Sequence, residues 1–181
     1  GDFPTFSEHN FEASLHTDTQ YRKTPEKYIS LLTIEKAKCN GGKLMLLDLY
    51  HVLQTLQKTN LGKKCLVALQ NTMFPFAVPT AFRDNKNKLE LIYAPVISEN
   101  FQLRYRFDTI KAGLKACGIS DNDEKFWSLN FFENHITYHP CKKVLTVEDG
   151  EIAFIDNKRI MHGRTRFDDL NRLLLRVRIN D

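Results

Sequence analysis

The spacing of apolar positions changes twice along this chain, and each change marks a different kind of element. In 28–34, large and β-branched residues (Tyr28, Ile29, Leu31, Leu32, Thr33, Ile34) crowd a short run and predict a strand. Cys39-Asn40-Gly41-Gly42 follows as turn chemistry, and 43–47 reads as the next strand. Two apolar runs broken by Gly-Gly predict antiparallel neighbours. After Asp48 the period lengthens, and Leu49, Val52, Leu53 and Leu56 fall on one face of a short helix. The stretch 72–100 carries Pro75, Pro79 and Pro95 between short apolar runs, which predicts irregular strands and loops. Helices are predicted over 108–116, stopped near Gly118, and from about 123 to 135 around Phe126, Trp127, Leu129, Phe131 and Phe132.

Beyond that the short period returns. A strand over 144–147, a turn at Glu148-Asp149-Gly150, a strand over 152–155 ended by Asp156-Asn157, and a long alternating strand over 173–179 complete the pattern. Strands, then inserted helices, then strands suit a mainly β fold with helical insertions, an antiparallel barrel or jelly roll, better than a doubly wound α/β sheet. At 181 residues the chain has room for one domain with one sizeable core, and no linker or repeat divides it.

Composition narrows the function. The 26 basic and 22 acidic residues leave a net charge of +4, spread along the whole chain. Nucleic-acid binders concentrate that charge in a stripe or arm, so the expectation is a small anionic substrate or cosubstrate and no nucleic acid. No apolar run reaches the ~18 residues of a membrane span. Cys39, Cys65, Cys117 and Cys141 are too far apart for a zinc ribbon or finger. They read as free, mostly buried thiols in a reducing compartment, and with no secretory or transit signal the expected location is cytoplasmic. A homo-oligomer stays open.

The residues with metal chemistry lie near the two ends of this pattern. His16 and Asp18 are two apart, so on a strand both point to one face and can chelate one cation. His162 supplies a second imidazole far downstream. Two His and one carboxylate, with the remaining positions open, form the ligand set of non-haem iron(II) oxygenases. His-x-Asp alone is common, and His9, His51, His135 and His139 read as solvated or structural. A further signal comes from 172–179. There Leu173, Leu175, Val177 and Ile179 take one face, while Arg172, Leu174, Arg176 and Arg178 take the other. The arginine face is either exposed to solvent or an anion site at the barrel mouth, since guanidinium grips carboxylates bidentately.

Phe154-Ile155-Asp156-Asn157-Lys158-Arg159-Ile160-Met161-His162-Gly163-Arg164-Thr165, then Phe167 and Arg172-Leu173-Leu174-Leu175-Arg176-Val177, resembles the C-terminal signature of taurine dioxygenase/clavaminate synthase-like enzymes. His16-Thr17-Asp18 is similar to the family's proximal His-x-Asp, and the likeness runs from about Glu12 to Ile179. The resemblance implies a double-stranded β-helix, a cupin-like jelly roll, holding Fe(II) on His16, Asp18 and His162. It further implies 2-oxoglutarate and O2 as cosubstrates, oxidative decarboxylation to succinate and CO2, and hydroxylation of a small molecule. Arg176, fourteen residues after His162, matches the arginine that binds the far carboxylate of 2-oxoglutarate. Arg172 matches a basic position near the keto-acid end.

Three departures bear on this. Members of the family carry further helices and strands before the His-x-Asp motif, whereas fifteen residues precede His16, so part of the barrel flank or a substrate lid is expected to be missing or minimal. Where many relatives have a cosubstrate-contacting Thr after the Gly-Gly turn, this chain has Leu44. Related halogenases replace the carboxylate with a small residue; here Asp18 is present, so halogenation is not expected. Arg104, Arg106 and Arg164 are candidates for an anionic substrate, with an amino acid or an amino-acid-derived metabolite as leading class. Two alternatives stand beside hydroxylation. The same iron chemistry can end in desaturation, cyclisation or oxidative decarboxylation, and a jelly-roll binding protein can keep the triad without turnover.

Overall fold

A computed structural model of the chain describes residues 9–179. In chain order the elements are β1 (Ala13–His16), β2 (Tyr28–Glu35), β3 (Leu44–Asp48), α1 (Leu49–Leu56), α2 (Asn60–Asn71), β4 (Phe74–Ala77), β5 (Leu91–Ala94), α3 (Phe107–Ala116), α4 (Glu124–Thr137), β6 (Lys143–Leu145), β7 (Ile152–Asp156), β8 (Ile160–Arg164) and β9 (Leu173–Ile179). Two antiparallel sheets, ordered β1-β8-β3-β6 and β7-β2-β9, make the jelly roll, and β4 pairs with β5 separately. The mainly β fold with helical insertions is therefore the observed one.

Alternation along β3 shows how the layers stack. Leu44 and Leu46 point between the sheets, where they meet Ile29 and Leu31 of β2, Ile155 of β7 and Ile160 of β8. Met45 and Leu47 point the other way, into a larger core built with α1–α4 and β4. One face of the four-stranded sheet thus carries the helices and the other closes on the three-stranded sheet, as successive side chains on a strand must divide.

The Gly41-Gly42 turn does not join a hairpin. β2 and β3 lie in different sheets, so the turn carries the chain from one layer to the other, and the expected pairing of these neighbours is corrected. Helix α2 was not legible by its apolar period, because several of its buried positions are Gly62, Cys65 and Ala68. Its start has an ordinary signal, the Thr59 hydroxyl accepting from Gly62 N–H at 3.0 Å. All four cysteines are free, but Cys39, Cys117 and Cys141 are exposed and only Cys65 is buried, which corrects the expectation of mostly buried thiols. No helix among the described residues is long and apolar enough to cross a membrane.

Candidate metal centre

His16 ends β1 and His162 sits in the middle of β8, and the two strands pair with these residues directly opposite. Their rings lie 4.4 Å apart between centroids. His162 shares its face with Ile160, so it points between the sheets. Gly163 faces the other way, and a Cβ there would stand 2.5 Å from the Ala13 carbonyl, so only glycine lets β1 approach closely enough.

Asp18 reaches the same point by a different route from the one strand alternation predicts. β1 stops at His16, and 17–20 form a turn in which Thr19 takes the left-handed conformation at φ 51°, unusual for a β-branched residue. Three sets of bonds hold that turn. Thr17 exchanges backbone and hydroxyl bonds with Tyr105, and the Thr19 hydroxyl donates to Glu26. The Asn157 side chain accepts from Asp18 N–H at 2.7 Å and donates to the Asp18 and Glu26 carbonyls at 3.1 and 2.9 Å. Asn157 was read from sequence only as a strand breaker; its clamp on Asp18 could not be seen there because its partners lie 139 and 131 positions away.

The donor atoms converge. His16 Nε2 and His162 Nε2 lie 3.6 and 3.7 Å from Asp18 Oδ1, and one ligand atom from each residue falls within 4.8 Å of the others. Among the described residues this is the one group of three that can hold a metal ion in this way. His16 Nδ1 is 2.7 Å from the Ser14 carbonyl, a bond that requires a proton on Nδ1 and leaves Nε2 as a lone-pair donor facing the centre. Neither ring nitrogen of the buried His162 has a hydrogen-bond partner. Burial, with His16 alongside, pushes the His162 imidazole down to about 4, so it is neutral at physiological pH. Burial would raise the Asp18 carboxyl, yet the His16 and His162 rings beside it and the Arg176 charge hold it well below the usual range. Two imidazoles and a carboxylate around a common point, with the His162 nitrogens unsatisfied among the described residues, fit a divalent cation.

A cavity of about 420 Å³ opens from His16 and His162 and runs between the sheets to the Gly41-Gly42 turn. Three arginines line it, Arg164, Arg172 and Arg176. Arg176 Nη1 lies 2.9 Å from Asp18 Oδ2, at the metal end. Arg172 lies at the other end, against Gly42 and over the Phe167 ring at 5.1 Å. Gly42 has φ +70°, and a Cβ there would press on Arg172 Cδ and Nε at 2.9 Å, so the glycine makes room for the guanidinium. Among the described residues no carboxylate pairs with Arg172. Its burial beside Arg164 pushes it down to about 10, still cationic at neutral pH. Arg176, matched by the resemblance to the far-carboxylate arginine, thus lies beside Asp18, and Arg172, matched to the keto-acid end, lies beside Gly42.

Other sequence candidates separate. Arg164 lines the cavity, stacks over Phe167 at 4.7 Å and donates to the His9 and Phe11 carbonyls. Arg104 donates to the Arg22 and Lys23 carbonyls, and Arg106 forks onto Asp108 with two bonds of 2.7 Å; neither lines the cavity. His135 and His139 both bond the Thr55 hydroxyl, a structural role as expected. Arg178, on the arginine face of 172–179, had been given no role of its own. Its Nε lies 3.7 Å from Asp18 Oδ2, and its charge acts on Tyr21, which stacks on Phe82 at 5.2 Å.

Asn157→Ala leaves the Asp18 amide and two carbonyls unsatisfied, at roughly 1–3 kcal/mol per buried group. It is expected to lower the melting temperature by several degrees and weaken ferrous-ion binding by ~10–100-fold, the scale for loss of a residue that orients a ligand. Calorimetry and metal titration read both effects; unchanged iron affinity would show that the clamp serves folding only.

The jelly roll thus brings a His-Asp-His group and an arginine-lined cavity together. By sequence the chain matches no protein-family model and no curated protein. By structure it is similar to asparagine oxygenase in complex with Fe(II), 3-hydroxyasparagine and succinate, at TM-score 0.74 and 20% identity, over 99% of this chain and 55% of that one. It is also similar to the non-haem iron oxygenase OrfP in complex with Fe, succinate and dihydroxy-L-Arg, at TM-score 0.68 and 16% identity, over 98% of this chain and 57% of that one. AAD-2 in complex with Mn(II) and N-oxalylglycine matches at TM-score 0.66 and 13% identity, over 99% of this chain and 73% of that one. The chain thus spans about half the length of the asparagine oxygenase and OrfP structures.

Proposed function

We propose that this chain is the core of an Fe(II)- and 2-oxoglutarate-dependent oxygenase that hydroxylates an amino acid or an amino-acid-derived metabolite. The observation that carries the reading is the pairing of two unmet needs in one cavity. Among the described residues, the His162 nitrogens at one end have no hydrogen-bond partner beside His16 and Asp18, and at the other no carboxylate pairs with the Arg172 guanidinium. A divalent cation answers the first and the remote carboxylate of a keto diacid the second.

His16, Asp18 and His162 would hold the ion. A ferrous ion held there supplies the place where a 2-oxo acid and dioxygen meet, with oxidative decarboxylation to succinate and CO2 coupled to oxidation of a substrate C–H bond. The protein's share is orientation and charge. Arg172, against Gly42 and over the Phe167 ring, would fork onto the remote carboxylate of 2-oxoglutarate. Thr33, buried on the inner face of β2, lines the same cavity and offers a hydroxyl where Leu44 offers none. Arg176 stands at the metal end, where it neutralises Asp18 and can meet the keto-acid carboxylate. Arg178, whose charge acts on Tyr21 of the Tyr21–Phe82 pair, is the cation best placed for a substrate carboxylate approaching from the side of Asp18.

The amino-acid class draws support from the hydroxyasparagine and dihydroxyarginine found with the similar structures. The test is succinate release by purified protein with Fe(II), ascorbate and 2-oxoglutarate, across a panel of free amino acids. One or more amino acids should stimulate succinate release and gain a hydroxyl by mass spectrometry. A product two hydrogens lighter would redirect the reading to desaturation or cyclisation. Iron and 2-oxoglutarate binding without succinate would favour a binding protein.

A further inference from the structure

The three-stranded sheet is apolar on both faces. On β9 the inward positions include Leu174 and Arg176, with Arg172 just before the strand, while Leu173, Leu175 and Val177 face away from the other sheet, 46–56% exposed. On the neighbouring β7, Ile152 and Phe154 are each 62% exposed. Register places these side chains in rows across β7, β2 and β9. Ile152, Leu32 and Leu175 make one row, and Phe154, Ser30 and Val177 the next. The inner face lines the cavity with Arg172, Arg176 and Thr33 and builds the inter-sheet core with Ile29, Leu31 and Ile155. The outer face is left apolar. Monomeric proteins rarely expose a contiguous patch of this kind unless it is an interaction site.

We infer that this outer face packs against the same face of a second copy of the chain. Three features select that occupant. The two rows carry no charged side chain, so two copies meet without like-charge repulsion despite a net charge of +4. The relief is self-complementary. In one row Ser30 leaves a hollow between Phe154 and Val177, while in the next Ile152, Leu32 and Leu175 form a continuous ridge, so a two-fold axis can seat each ridge against the other copy's hollow. The area also suffices. Half a dozen half-exposed side chains of this size offer on the order of 600 Å² per copy, near the ~800 Å² per partner of a standard interface once the rim is added.

Light scattering after size exclusion and sedimentation velocity on the 181-residue chain, at increasing micromolar concentrations, should give twice the chain mass of 21.1 kDa. Phe154→Glu and Leu175→Glu should each weaken self-association by at least ~30-fold, the scale of a hot-spot residue. Both should keep the far-ultraviolet circular dichroism and the melting behaviour of a folded chain. Leu170→Glu, at an exposed position outside these strands, should leave the dimer intact. A wild-type chain that stays monomeric throughout would overturn the inference and leave the face to another polypeptide segment or a different protein. A dimer indifferent to both glutamates would equally overturn it, placing the contact elsewhere.

Discussion

His162→Ala is expected to abolish ferrous-ion binding while leaving the metal-free fold nearly as stable as before. The two halves of that expectation come from one observation. A buried imidazole with both nitrogens unpartnered costs the metal-free protein roughly 1–3 kcal/mol per polar atom. Its removal relieves that cost while leaving a cavity whose penalty has the opposite sign, so the net effect is small. With iron the balance changes. His162 Nε2 is one of three donors around Asp18 Oδ1, and its loss should reduce affinity by more than ~100-fold, beyond the ~10–100-fold typical of an outer residue that only orients a ligand. Thermal unfolding with and without Fe(II) separates the two. The wild type should gain stability on adding iron, and the variant should gain none. A variant that fails to fold without metal would mean that His162 is a structural histidine, and the metal reading would lose its main support.

Arg172→Ala is the second large effect, and it is specific to the diacid. Loss of a guanidinium that forks onto a carboxylate removes charge-assisted bonds of about 1.5–3 kcal/mol each, so the requirement for 2-oxoglutarate should rise by ~10–100-fold or more. Iron affinity without cosubstrate should not change, because Arg172 lies away from Asp18, against Gly42 and Phe167. The discriminating comparison is with a 2-oxo monoacid such as pyruvate. The wild type should favour 2-oxoglutarate strongly, and Arg172→Ala should lose most of that preference. Arg176→Ala should keep the preference while altering how Asp18 and the metal interact, because its guanidinium lies 2.9 Å from Asp18 Oδ2. The opposite result would restore Arg176 to the far carboxylate, where sequence resemblance placed it.

Those two arginines mark where the sequence is legible and where it stops. Alternation along 173–179 correctly separates an arginine face from a leucine face. It cannot say which face looks inward, because an exposed basic face and a lined anion cavity leave the same pattern. Position along the cavity was equally invisible, since it depends on Gly42 making room for Arg172 in a different sheet. The candidate metal group was legible through the family resemblance, which singled out His16, Asp18 and His162 where a common His-x-Asp spacing alone did not. How Asp18 arrives was not: strand periodicity gave the right face for the wrong reason, and a turn strapped by Asn157 and Glu26 brings it there. The Gly41-Gly42 turn shows the same limit, as local turn chemistry cannot tell a hairpin from a crossing between sheets.

The most direct measurement is spectroscopic. Under nitrogen, the protein is titrated first with Fe(II) and then with 2-oxoglutarate, and the visible region is followed for the weak charge-transfer band of a ferrous 2-oxo acid chelate. A band that saturates at one iron per chain, and fails to form with Asp18→Ala, is the predicted result. No band with both components in excess, or an undiminished band in the Asp18 variant, would contradict the site described above.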